Sequence, residues 1–189
     1  MRSRLAAAAY ATVEEGGLGA LRMRNVAAAA GVSQGALLHH FPDKKSLTLV
    51  AIEQALTLAR EDSVALLQVK IDDKPDVLLR LMLDEFRQFF FSGRFWVAMG
   101  ITLEANKDDE LRAAVRAKVA ELRTPIYEAW ADRLKRAGWT SDAAMVTVRS
   151  AATLLSGSAI RRIWADSDDI GARVKEDWLR DQLARRQAT

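Results

Sequence analysis

The segment Met23-Arg-Asn-Val-Ala-Ala-Ala-Ala-Gly-Val-Ser-Gln-Gly-Ala-Leu-Leu-His-His40 constrains this chain more than any other stretch. It contains two helical runs, 23–30 and 34–40, each too short to be stable alone, because nucleating a helix costs more than two turns return. Each must be held by the other. Ala27 is small where a second helix has to come close, and Gly31, four residues on, supplies the positive φ at which the first run ends. Val32 and Leu37 can fill the space between the helices, and the Ser33 hydroxyl is placed to accept a backbone N–H of the second. This is the spacing of a helix-turn-helix, whose second helix enters the DNA major groove.

The composition of the second run suits that task. Gln34, His39 and His40 carry hydrogen-bonding groups, while Gly35 and Ala36 let the backbone approach base edges. Arg22 and Arg24 lie at the start of the first of the two helices, and Phe41-Pro42-Asp43 turns the chain into Lys44 and Lys45. Phosphate contacts from these cations would supply affinity and register, leaving sequence choice to the second helix. Charge follows the same division. Residues 1–50 hold six basic and three acidic side chains, whereas the rest of the chain has 22 of each, so the whole excess of +3 sits at the front. Such asymmetry suits a polyanionic partner. Adjacent histidines point about 100° apart on a helix and chelate one metal poorly. With no cysteine in the chain, neither a metal site nor a cofactor is expected.

Apolar periodicity is helical nearly throughout, which predicts an all-α protein of about nine helices. A first helix spans about Ser3 to Glu15 and is stopped by Gly16, Gly17 and Gly19. A longer one starts near Asp43 and carries Leu47, Ala51, Ala55 and Leu58. Residues 70–75 read as a linker, with Pro75 suited to a first helical turn. Leu79, Met82, Leu83, Phe86, Phe89 and Phe90 then share a face, as do Leu111, Val115, Leu122, Ile126, Trp130, Leu134 and Ala137, with a kink expected at Pro125. Gly138 stops that helix, Ser141 is placed to cap the next, and a last helix covers about Ile170 to Arg185. The expected division is a three-helix DNA-binding domain over 1–45, a connecting helix over about 43–62, and a helical ligand-binding and dimerisation domain over 46–189.

Several classes are disfavoured. No run approaches 18 consecutive apolar residues, which argues against a membrane span. Met1-Arg-Ser-Arg followed by Leu5 to Val13 has the outline of a short export signal. Its apolar part is mostly alanine and runs into Glu14-Glu15, so it reads as a helix and the expected location is cytoplasmic. There is no phosphate-binding loop, nucleophile elbow or dinucleotide fingerprint to suggest an enzyme. The pairs Asp72-Asp73, Asp108-Asp109 and Asp168-Asp169 stand just before helix starts, where acids serve as caps or solvated turns.

In the second half, Met82, Phe86, Phe89, Phe90, Phe95, Trp96, Met99 and Leu103, with Trp130 and Met145, are rich enough in aromatic surface to line an apolar ligand cavity; simple core packing is the other reading. Glu104, Arg80 and Glu85 lie near this face, and spacing alone does not say which point inward. Leu155, Gly157, Ile160, Ile163, Trp164, Val174 and Trp178 combine small residues with apolar area and are the candidate dimer seam, a four-helix bundle about a two-fold axis.

Arg4-Leu5, Ala8-Ala9, Gly16-Gly17 and the run from Arg24 through Gly31-Val-Ser-Gln-Gly-Ala-Leu-Leu-His-His-Phe-Pro-Asp-Lys44 to Leu47 resemble the TetR family of bacterial repressors, strongly over residues 4–58. The resemblance implies a homodimer that binds a pseudo-palindromic operator and lets go when a small molecule enters the C-terminal domain; the aromatic cluster there leads us to expect an apolar or amphipathic effector. By position it implies that Ser33, Gln34, Leu38, His40 and Lys44 face the DNA backbone, and that Gly35, Ala36 and His39 face the bases. Two positions depart from the family pattern. Leu38 stands where tyrosine is usual and has no hydroxyl to donate, and Arg22 replaces a usual serine or threonine with a cation. An all-α interaction adaptor without DNA activity and a helical enzyme are the rival classes; salt-sensitive duplex binding separates the regulator from both.

Overall fold

The computed structural model describes residues 1–69, 74–164 and 169–187, without the side chains of 169, 170 and 187. Asp72, Asp73, Asp168 and most of the expected linker lie outside the described residues. Among the described residues there are nine α-helices, one short 3-10 turn at Leu18–Ala20, and no strand: α1 (Arg2–Gly16), α2 (Met23–Ala29), α3 (Gln34–His40), α4 (Lys44–Leu67), α5 (Pro75–Phe90), α6 (Gly93–Ala105), α7 (Asp109–Arg136), α8 (Ser141–Arg161) and α9 (Asp169–Gln187).

The helix ends follow local chemistry. Gly17 (φ 68°), Gly31 (φ 63°) and Gly138 (φ 102°) take the left-handed conformation just past α1, α2 and α7. Pro75 occupies the first turn of α5, where its missing N–H is not needed. Asp43 caps α4: its carboxylate accepts from the Ser46 amide at 2.7 Å, and the Ser46 hydroxyl donates back to the Asp43 carbonyl at 2.8 Å. One cap differs from expectation. Thr140, not Ser141, accepts from the Ala143 amide, at 3.3 Å, and Ser141 becomes the first helical residue. The reason is register: a capping side chain bonds the amide two or three residues on, and α8 starts one residue earlier than a Ser141 cap requires. α7 is assigned as one helix through Pro125.

The compact units are not two successive stretches of chain. One comprises Met1–Arg60 with Ser92–Arg123, the other Glu61–Phe91 with Thr124–Thr189. α6 and the first part of α7 therefore pack in the same unit as the helix-turn-helix. The first unit is built on Leu5, Val26, Leu37, Phe41, Leu47 and Ile101, and the second on Leu79, Met82, Phe86, Trp130, Leu134 and Val148, all buried. α8 has an 18-residue window of mean hydropathy 1.3, so by length and composition it is apolar enough to cross a bilayer, which the run-length argument from the sequence did not anticipate. Core helices of water-soluble proteins meet the same criterion, and Ala144, Val148, Ala151, Ala152 and Leu155 of α8 are buried within its unit.

Candidate nucleic-acid interface

α2 and α3 are joined by Ala30-Gly31-Val32-Ser33. The Gly31 amide donates to the Ala28 carbonyl and the Val32 amide to that of Ala27, both at 3.0 Å, so the last carbonyls of α2 are satisfied as the chain reverses. Ser33, in extended conformation, caps α3 by accepting from the Ala36 amide at 3.1 Å. Asn25 holds the start of α2 by donating from Nδ2 to the Ala20 carbonyl at 2.8 Å. Val26, Ala27 and Leu37 close the contact between the helices and are buried; Val32 is only half-buried.

With Leu37 turned inward, the 100° step of the helix decides what α3 presents outward. Gly35 and His39 fall about 160° and 200° from Leu37, on the side farthest from the core. Gln34, Gly35 and His39 are exposed, as is Leu38 at 42%, whereas Ala36 and His40 are half-buried. The His39 and His40 rings meet edge to face, with centroids 5.4 Å apart. Among the described residues no cluster of His, Asp and Glu has the makings of a metal site.

The flanking cations divide into two kinds. Arg22, Arg24 and Lys44 are exposed. Lys45, the neighbour of Lys44, is engaged instead: its ammonium lies 2.8 Å from Glu110 and 2.9 Å from Asp108. Hydrogen bonds donated to these two carboxylates, Glu110 first, hold the Lys45 pKa above the ordinary lysine value. Asp108 is held below the ordinary carboxylate value chiefly by the Leu111 amide, which it caps, and then by Lys45. Two lysines adjacent in sequence thus differ in how available they are to a phosphate.

The residues read from the sequence as ligand-lining fall in both compact units. Met82, Phe86, Phe89, Phe90, Trp130 and Met145 belong to the second unit, and all but the half-buried Met145 are buried. Phe95, Trp96, Met99 and Leu103 belong to the first, where Phe95 is buried, Met99 half-buried, Trp96 exposed and Leu103 60% exposed. Leu103 and Trp96 are thus on the outer side of α6, which apolar character alone did not reveal. Of the charged residues whose direction spacing left open, Glu85 is the inward one, at 1% exposure. The Ser63 hydroxyl and the Trp130 indole donate to its two oxygens, the latter at 3.1 Å. Phe86 meets Tyr127 edge to face at 5.7 Å beside it. Arg80 and Glu104 point to solvent, paired with Glu176 and Lys107. Glu85 falls at helical spacing from Met82 and Phe89, a signal outweighed at the sequence level by its charge; Ser63 gave none.

Of the candidate seam residues, Ile163, Trp164 (77%) and Val174 are exposed apolar side chains, Gly157 is exposed and Ile160 half-buried. Two face the other way. Leu155 is buried in the core of its own unit, and Trp178 is half-buried with its indole N–H donating to the Ser150 hydroxyl at 3.1 Å. Their apolar area is used within the chain.

Residues 5–51 match the family described as bacterial regulatory proteins, tetR family. Over 178 residues the chain is 30% identical to the HTH-type transcriptional regulator CymR of Pseudomonas putida, covering 94% of this chain and 87% of that protein. Among solved structures, a putative TetR-family transcriptional regulator from Mesorhizobium loti MAFF303099 shares the fold with a TM-score of 0.71 at 17% identity, over 97% of this chain and 95% of that one. The multidrug binding protein EbrR complexed with ethidium shares it with a TM-score of 0.69 at 23% identity, over 95% and 96% of the two chains.

Proposed function

The chain belongs to the tetR family of bacterial transcriptional regulators, and we propose that it acts as a repressor: a homodimer that holds a pseudo-palindromic operator and releases it when a small apolar or amphipathic molecule binds. The observation that carries this reading is α3, a helix anchored by buried Leu37 that turns Gln34, Gly35, Leu38 and His39 outward. Gly35 and His39, with Ala36 beside them, are assigned to the base edges; Ser33, Gln34, His40, Lys44, Arg22 and Arg24 to the backbone. Ser33 already accepts an amide in the cap, so only its O–H remains to donate to a phosphate. Leu38 offers apolar contact alone.

Dimerisation is assigned to Gly157, Ile160, Ile163, Trp164 and Val174, whose apolar surface is otherwise left to water. Binding of the effector is assigned to the aromatic surroundings of Met82, Phe86, Phe89, Phe90 and Trp130, where buried Glu85 would be a polar anchor for a ligand that donates a hydrogen bond. Relatives of this fold with small organic molecules bound support a ligand-responsive role. Effector would favour a conformation in which two recognition helices no longer match successive major grooves about 34 Å apart. Linkage makes the effect reciprocal: operator must weaken effector binding by the factor with which effector weakens operator binding.

Selection of duplexes from a random DNA pool by effector-free protein tests the reading. Enrichment of an inverted repeat with half-sites about one helical turn apart is the expected result. Enrichment of no sequence, with carried-over ligand removed, would overturn it.

A further inference from the structure

α6 begins where the chain re-enters the first compact unit, at Ser92, and its first turn is held in an unusual way. Ser92 precedes the helix in extended conformation, yet its side chain makes no capping hydrogen bond. A carboxylate from elsewhere stands there instead. Glu14, at the end of α1, comes so close to Gly93 that a β-carbon on that residue would lie 2.5 Å from Oε1 and 3.4 Å from Cδ. The carboxylate does not hang loose, because the Tyr10 hydroxyl one turn earlier on α1 donates to it. Burial, and then the Glu14 carboxylate that accepts its proton, push the Tyr10 pKa up to about 12, against a smaller opposing effect of Arg94. Arg94, the second residue of α6, also donates from Nη1 to the Leu58 carbonyl of α4 at 3.2 Å. The start of α6 is thereby tied to α1 through Glu14 and Tyr10 and to α4 through Arg94.

We infer that Glu14 is a positioning residue for operator binding: its carboxylate, aimed by Tyr10, locks the N-terminus of α6 onto α1 and so fixes the α1–α3 assembly in its DNA-competent place. The inference rests on the regulator reading above. An anion at a helix N-terminus is favourable because the first amides there lack partners and the helix dipole is positive at that end. A β-carbon at 93 would meet only the end of the Glu14 side chain, so it would displace the carboxylate without disturbing the backbone. α1 carries Leu5, Ala9 and Val13 into the core that backs the helix-turn-helix, so freeing its last turn from α6 loosens the frame on which α3 is mounted. A rotation of that frame displaces both recognition helices of a dimer relative to the grooves, with no loss of any DNA contact residue.

Three variants, Glu14→Gln, Gly93→Ala and the double variant Glu14→Ala with Gly93→Ala, are compared with Glu14→Ala and the unaltered protein. Operator affinity is read by fluorescence anisotropy on the selected inverted repeat, and thermal midpoint by circular dichroism. Glu14→Gln and Gly93→Ala should each weaken operator binding about five-fold, the size expected for losing a charge–helix interaction in both halves of a dimer. Gly93→Ala should have no further effect once Glu14 is alanine, because there is no carboxylate left to displace. A purely structural role would lower the thermal midpoint and leave operator affinity unchanged, and additive effects would mean that Glu14 and Gly93 act independently. Amide exchange in the first turn of α6 provides a reading without DNA, and it should speed up several-fold in Glu14→Gln. Unchanged operator affinity in the single variants, additive effects, or unchanged exchange would each overturn the lock. A protein that selects no operator but shows the exchange change would overturn the regulator reading and, with it, the role in operator binding, while leaving the α1–α6 contact itself standing.

Discussion

Both compact units carry exposed ion pairs, such as Lys45 with Glu110 in the first and Arg80 with Glu176 in the second, but the second also joins buried polar side chains to one another. In the first, α4 is tied to α7 and the residue before it by ion pairs: Lys45 with Asp108 and Glu110, and Lys118 with Glu53 at 3.4 Å, Lys118 also pairing within α7 with Glu121 at 2.9 Å. In the second, buried side chains bond one another: Ser63 and Trp130 to Glu85, and the Thr147 hydroxyl to Gln182 at 2.9 Å. Surface pairs are individually worth little and are screened by salt, whereas a buried polar group left without its partner costs the full desolvation penalty. The exposed pairs are therefore open to screening by salt, whereas the buried contacts of the second unit are not.

The largest expected effects lie in the second unit. Trp130→Ala should cost about 3–5 kcal/mol through the cavity it leaves, measured by denaturant unfolding. Trp130→Phe keeps most of the volume and removes only the indole donor to Glu85. It should cost about 1–3 kcal/mol, and an unchanged unfolding midpoint would mean that Glu85 does not depend on that bond. In the first unit, Gly31→Ala forces a β-carbon into the left-handed conformation and should cost about 1–2 kcal/mol, with operator binding reduced because the turn sets the angle of α3.

The two lysines give a sharper contrast. Lys44→Ala should weaken binding to all sequences alike and flatten the dependence of log affinity on log salt by about one per protomer. Lys45→Ala, which removes a cation already held by Glu110 and Asp108, should leave that slope nearly unchanged; equal slope changes would erase the distinction between them.

The smallest effect is in pH. Asp43, held down by the Ser46 amide and hydroxyl, and Asp108, held down by the Leu111 amide and Lys45, lie below their ordinary value of 3.8 when folded. The stability they contribute is present above that value and is lost as pH falls through the lower folded one. Lys45, raised above 10.5, contributes stability that is complete below that value and is lost as pH rises through its folded one. Thermal midpoints should owe these groups no slope between about pH 5 and 9, with acid loss reported first by amides at the starts of α4 and α7.

How much was legible depends on how far along the chain each cause lies. The turn of the helix-turn-helix was readable because Gly31, Ser33 and Leu37 act within a few residues of themselves: a left-handed φ, a cap and one inward side chain. Gly138 and Pro75 were readable for the same reason. The Ser141 cap was off by one residue because capping depends on where α8 starts, and packing sets that start. The mixture of buried and exposed apolar residues on α6 was hidden because an apolar side chain reads the same whether it faces a core or water. Placing α6 against α1, in the same unit as the helix-turn-helix, was equally out of reach, since it turns on contacts such as Glu14 with Gly93, made by residues far apart in sequence.

By itself, then, the sequence determined the helices, those of their ends marked by glycine or proline, the turn that angles α3 and the concentration of positive charge around it, because hydrogen-bonding geometry, glycine conformation and helical period act locally, whereas α4 runs on to Leu67, past the expected end near 62. Only the tertiary structure decided that Glu85 faces inward, that Leu155 and Trp178 are spent within their own unit, that Lys45 is bound while Lys44 is exposed, and that a carboxylate from α1 stands at the head of α6. Each of these depends on which groups the folded chain brings within a few ångströms. Neither electrostatics nor burial has a value until those distances exist.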